Sequence, residues 1–318
     1  MAIFRQIQRM GSAAHERYEE SVAAARKRSG AFDNLWAAKE RYSEVLGGRL
    51  AAAIAYYGFF AAFALSLVAF SVFGFVFNAN ADVREAVTDW LGKTIPDFPV
   101  DQIPDSSTAI GVLGVVGLLL TGLGWVDAFR TSQRALWRLD QHPGNMVIRR
   151  LVDLGMLLAL TVVLALSLAI ADLMNALFHW LSGGTSSIWL TAATAGVTVL
   201  VNVIIAVALL TVLPRVHVQP RRLIPPAIAV GIGLSLLNWG GRAYVTHATR
   251  FYAAFTVVAT TGVLLIYLYL FNQIVLWGAA LAATSTRGRF IDLAAGPHPQ
   301  PPEQADNPSA DASGSPGT

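Results

Sequence analysis

The residues able to do chemistry are few and scattered. The six histidines, His15, His142, His179, His217, His247 and His298, lie in separate segments, and no two are within five positions of each other. A metal-dependent nuclease or hydrolase needs His and Asp clustered at ligand spacing, because the cations must be held close together. Cysteine is absent, which removes disulfides, thiolate metal sites and a cysteine nucleophile. No Gly-rich phosphate loop, nucleophile elbow or paired-carboxylate motif occurs either. The sequence therefore predicts a non-enzyme with no cofactor, no metal and no nucleic-acid partner.

Polar groups inside long apolar stretches carry more information, since such groups are costly in a membrane and often functional. Asp172 and Arg242 fall at similar expected depths, about 27 Å and 24 Å along their helices at 1.5 Å per residue. They are a candidate intramembrane pair, or two unrelated interface residues with Arg242 snorkelling to the surface. Asn202, Thr260, Thr261 and Asn272 are candidates for interhelical hydrogen bonds or for the lining of a cavity. Gly111, Gly114, Gly117, Thr121 and Gly124 follow three- and four-residue steps along one helix face, which suits close helix packing or a sliding surface. Arg130, Arg134, Trp137 and Arg138 share helical spacing, and Arg149 and Arg150 follow. This basic cluster beside a span could contact anionic lipid headgroups or serve as positive-inside anchoring with an aromatic belt.

These residues are carried by long apolar segments. Of 318 residues, 54% are hydrophobic and 14% charged, and the mean hydropathy is +0.52. Soluble domains average about 25% charged residues. The fold class predicted is an all-α polytopic membrane protein, a six-helix transmembrane bundle preceded by N-terminal amphipathic helices. The expected spans are about 50–77, 109–126, 154–178, 188–213, 226–244 and 253–283, framed by an N-terminal segment 1–49 and a disordered tail 285–318. The last span is longer than a bilayer core of about 30 Å requires. In the N-terminal segment, Phe32, Leu35, Trp36, Lys39, Tyr42 and Leu46 recur at helical spacing, with Asp33 as the expected N-cap and Gly47-Gly48 as the expected stop. That helix suits the membrane interface or packing on the membrane domain. The loop 78–108 is acidic, with Pro96, Pro99 and Pro104. Nothing reads as a cleavable signal peptide.

Charge sets the expected orientation. Segments 1–50, 127–150, 214–222 and 284–318 hold 9, 5, 3 and 2 Lys and Arg, whereas 78–108, 172–187 and 238–251 hold 2, 0 and 2. Positive charge stays on the cytoplasmic side, so this split of 19 against 4 predicts cytoplasmic N- and C-termini.

Several stretches resemble the YihY/virulence factor BrkB family of bacterial inner-membrane proteins, and within it the YhjD-like branch. They are Glu40-Arg41-Tyr42, the run from Ala51 to Tyr57, the run from Ala69 to Val76, the run from Gly122 to Arg130 with Ala135-Leu136-Trp137, Pro143-Gly144-Asn145, and the run from Leu268 to Leu281. Two positions depart from the family pattern: Ala64 where many members have proline, and Ala280 where they have glutamate. If that glutamate carries a proton or ion in the family, this chain cannot use it so. A ribonuclease label carried by some relatives finds no supporting residues here. The resemblance implies an envelope-integrity protein of the bacterial inner membrane, a transporter or lipid-handling protein of unknown substrate. A non-transporting scaffold is the alternative. Its expected partners are membrane lipids, a lipid or small-molecule substrate, and a second copy of the chain.

Overall fold

The computed structural model describes residues 21–79, 103–181, 188–248 and 253–294. The acidic loop between Ala79 and Ile103, the Gly183-Gly184 turn, the first twenty residues and the tail from 295 onward lie outside the described residues. The described residues are mostly helical: α1 (Gly30–Glu44), α2 (Gly47–Ala79), α3 (Ile103–Leu136), α4 (Met146–Leu181), α5 (Ile188–Thr211), α6 (Pro220–Ala248) and α7 (Ala253–Thr284). Two three-residue strands, β1 (Val216–Val218) and β2 (Phe290–Asp292), pair antiparallel with Val216 opposite Asp292.

A long apolar segment in lipid must satisfy its backbone internally, and a helix does so without a partner strand. Among the described residues, Gly47–Ala69, Ile110–Leu136, Pro220–Tyr244 and Thr261–Thr284 are long and apolar enough to cross a membrane. Leu113, Leu120, Leu158, Leu236 and Trp239 point outward, each more than 60% exposed. A water-soluble protein rarely presents so much contiguous apolar surface.

Helix ends depart from expectation in ways the local chemistry explains. The N-cap of α1 is Ser29, whose Oγ accepts the Phe32 N–H at 3.3 Å. Asp33 sits in the first turn instead, where it pairs with Arg26 at 2.6 Å and favours the positive end of the helix dipole. Gly47-Gly48 does not stop a helix. It opens α2, because Leu46 takes the left-handed turn (φ 54°) and Gly47 lies under the Tyr42 ring, 2.4 Å from where a Cβ would stand. Leu35 and Leu46 of the expected stripe are exposed, and Ala38, Tyr42 and Val45 face the core.

Helix α3 runs ten residues past its expected end and so carries its arginines on the same rod as its glycines. Helix α4 begins at Met146, capped by the Asn145 Oδ1, which accepts the Val147 N–H at 2.8 Å. Helix α6 begins at Pro220, where a missing N–H costs nothing, and Pro225 and Pro226 fall inside it. Residues 285–294 are not the start of a disordered tail: Phe290–Asp292 is the partner of β1.

The glycine face of α3 lies against α2. A Cβ on Gly114 would come 2.8 Å from the Val68 backbone N, and one on Gly111 would meet the Ser71 side chain. Gly117 and Gly124 lie over Ala64 and the Tyr57 ring at 3.4 and 3.0 Å. Thr121 folds its hydroxyl back to the Gly117 carbonyl at 2.7 Å. The densest core lies toward the strand-bearing end, where Ile54, Phe129, Leu136, Leu210, Leu213, Leu276 and Ala279 are all buried.

Candidate functional site at the charged end of the bundle

The last turns of α3 place Arg130, Gln133 and Arg134 on one face, Trp137 follows directly after the helix, and all four are buried. Buried guanidinium groups require partners, and here neighbouring helix ends supply them. The final carbonyls of a helix have no internal donor, so arginine side chains can cap them.

Arg134 forms a two-pronged ion pair with Asp292 of β2, at 2.9 and 2.7 Å. It also donates to the Pro214 carbonyl at 2.9 Å and the Asp140 carbonyl at 2.5 Å. Gln133 Nε2 donates to the Leu209 carbonyl of α5 at 3.0 Å. Arg222, in the first turn of α6, donates to Ala282, Ala283 and Gly288 carbonyls at 2.7, 2.6 and 3.4 Å. Its guanidinium lies 5.2 Å from the Trp137 ring centre and 5.0 Å from that of Phe290, within cation–π range.

A second group surrounds Asp153, fully buried on the second turn of α4. Its Oδ1 lies 2.9 Å from Arg215 Nη2 and 3.3 Å from Arg130 Nη1. Arg130 also pairs with Asp127, one turn back on its own helix. Arg215 adopts φ 57°, and its backbone carbonyl accepts the Leu293 N–H at 3.0 Å. Arg149, in the first turn of α4, gives its own carbonyl to Arg215 at 3.4 Å.

At the edge, Arg138 pairs with Glu44 of α1 at 3.1 Å and is exposed. Arg41 reaches the Leu136 carbonyl at 3.1 Å. Burial pulls the Arg41 guanidinium below its ordinary pKa, with Arg138 adding to the effect and Glu44 opposing it. Burial against α7 likewise pushes the Tyr42 hydroxyl up to about 12, aided by Tyr269.

The structure turns Arg134 and Trp137 inward. Unpaired carbonyls at helix ends and the Asp292 carboxylate satisfy the one, and the Phe290 ring, 4.8 Å away, packs on the other. Arg130 is also turned inward, onto Asp127 and Asp153. Arg149 and Arg150 are half-buried at the start of α4. Asn202 is buried and donates to Ser235 Oγ of α6 at 2.8 Å. Asn272 is buried and Thr261 half-buried. Arg242 is exposed, and the side chains of Asp172 and Thr260 lie outside the described ones. Ala64 and Ala280 are both buried in close packing.

Sequence reasoning missed Asp153, Arg215, Arg222 and Asp292 as partners, together with the strand pair. One signal was available: Asp127, Asp153 and Asp292 are carboxylates set within or beside segments otherwise marked by arginine. Such acids oppose the local charge bias and so call for a partner.

A separate feature lies between α6 and α7. An apolar groove of about 270 Å³, lined by Ala229, Val230, Gly233, Leu270, Gln273, Ile274, Trp277, Gly278 and Leu281, opens on the bundle surface.

The sequence model described as virulence factor BrkB matches residues 38–303. The chain belongs to the virulence factor BrkB family. Every member of the buried charge layer, from Asp127 to Asp292, falls within the matched BrkB segment. Similar proteins include an uncharacterized protein of Dickeya dadantii, 23% identical over 269 residues, 78% of this chain and 81% of that one. The inner membrane protein YhjD of Escherichia coli is 26% identical over 176 residues, 49% and 52% of the two chains. A UPF0761 membrane protein of Xanthomonas oryzae pv. oryzae is 25% identical over 249 residues, 76% and 57%. The alignments thus span four-fifths of the first relative but little more than half of the other two. No solved structure matches this BrkB-family chain. With its apolar helices, it is a membrane protein of that family.

Proposed function

We propose that this protein is a six-span lipid-handling protein or transporter of the bacterial inner membrane, working by helix rearrangement and without covalent chemistry. The observation that carries the reading is the groove between α6 and α7. It is apolar, it is open at the bundle surface, and Gln273 and Trp277 place an amide and an indole on its wall. Ligand sites are typically concave and mostly apolar with a few polar groups. The six-span count is supported by helices α2 to α7, each of 24 to 36 residues. Cytoplasmic termini are supported by the 19-to-4 split of Lys and Arg under the positive-inside rule. The name of YhjD in Escherichia coli, an inner membrane protein, supports the compartment.

Purification in native lipid followed by mass spectrometry tests the reading. A reproducibly enriched lipid or metabolite is expected, with enrichment lost in Ala229→Phe, which fills the groove from an exposed position. Recovery of bulk lipid alone, unchanged by that variant, would overturn it. A non-transporting scaffold is the second reading, favoured by the Arg134–Asp292 clamp that ties α3 to the strand pair.

A further inference from the structure

The group around Asp153 holds more cationic donors than its carboxylates use. Arg130 and Arg215 converge there on Asp153, with Asp127 beside Arg130. Arg149 stands near enough to bear on the Arg130 charge while its Nη1 donates to the His142 carbonyl at 3.2 Å, and Arg150 bears on Asp153, so positive groups outnumber the two carboxylates. The Nε atoms of Arg130, Arg149 and Arg215 are buried without a hydrogen-bond acceptor, Arg130 Nη1 has only its 3.3 Å ion-pair contact with Asp153 Oδ1, and Asp153 Oδ2 is buried without a donor. Arg130 and Asp153 are themselves fully buried. Contrast Arg134, which spends its donors on carbonyls and the Asp292 carboxylate, and Arg222, which spends its donors on three carbonyls. A buried guanidinium with idle donors is costly, and a second acidic group with several oxygens would relieve it.

We propose that Arg130, Arg149 and Arg215 form a binding site for a phosphate-type oxyanion, with Asp153 as the resident counter-ion that the phosphate displaces. The chemistry favours phosphate because guanidinium forks match its oxygens and give several charge-assisted hydrogen bonds at once. The three arginines come from α3, α4 and the turn after α5, so an anion held among them links those elements. Displacing Asp153 frees the first turns of α4 from α3, which couples occupancy to the position of α4. The site goes beyond the groove reading and does not depend on it. The phosphate has two sources, a lipid headgroup or a free phosphate, which share this chemistry.

The test uses the full chain in phosphatidylcholine nanodiscs. Thermal unfolding is followed with added inorganic phosphate at constant ionic strength, and separately with phosphatidic acid in the disc, because a ligand of the folded state raises the midpoint. A rise with inorganic phosphate assigns the free anion, and a rise only with phosphatidic acid assigns the headgroup. Either supports the site if Arg149→Gln, on the half-buried helix surface, weakens the response roughly tenfold or more. Asp153→Asn, which removes the competing carboxylate, is expected to strengthen it. Arg215→Lys serves where Arg215→Gln fails to fold and is expected to weaken the response without abolishing it. No rise with either phosphate source, or a rise indifferent to Arg149→Gln and Asp153→Asn (an adventitious ion only), would overturn the proposal.

Discussion

Gly114 of α3 approaches the Val68 backbone of α2 so closely that a Cβ would stand 2.8 Å from the amide nitrogen. The obstacle is main chain, which cannot rotate away as a side chain can. Between lipid-facing helices, association depends on packing more than on the hydrophobic effect. Gly114→Val is therefore expected to destabilise the protein by about 1–3 kcal/mol, read as a lower unfolding midpoint in detergent. Gly155→Ala on α4, with nothing within 4 Å of the added Cβ, is the control and should leave the midpoint nearly unchanged. Equal effects at the two sites would refute the close-packing argument.

Arg134 and Asp292 hold β2 on the end of α3. Arg134→Gln leaves the mostly buried Asp292 carboxylate without its cation, a loss of about 3–5 kcal/mol for a buried pair broken on one side. The double variant Arg134→Gln with Asp292→Asn should recover part of this, because neither charge is then stranded. A double variant as unstable as the two single losses added together would show that the residues do not act as a pair.

Asn202 and Ser235 make an interhelical hydrogen bond at 2.8 Å. Such bonds in membranes average only about 0.6 kcal/mol. Asn202→Ala should accordingly fold and lower stability slightly, by calorimetry or chemical unfolding. A loss of several kcal/mol would assign the amide a larger role than one bond.

Topology can be read directly because the chain has no cysteine. Single substitutions Asn145→Cys and Asp97→Cys are expected to react with an impermeant maleimide from opposite sides of the membrane, Asp97→Cys in intact cells and Asn145→Cys only after lysis. Labelling of both from outside would remove the six-span, cytoplasmic-termini arrangement.

Much of this architecture was legible in the residues alone. Apolar length placed the helices, because a bilayer leaves a backbone few alternatives. The three- and four-residue spacing of Gly111, Gly114 and Gly117 marked one packing face, because helix geometry is local and periodic. The ordered set of stretches from Glu40 to Leu281, and no one of them alone, pointed to the BrkB family. Arg130 and Arg134 were singled out, yet what they face was not legible. Spacing along a helix says which side chains share a face, not what that face meets. Their partners Asp153 and Asp292 stand 23 and 158 positions away along the chain, and only the tertiary fold brings them within reach. The strand pair was equally illegible, since three residues carry no periodicity and each strand forms only because the other lies beside it.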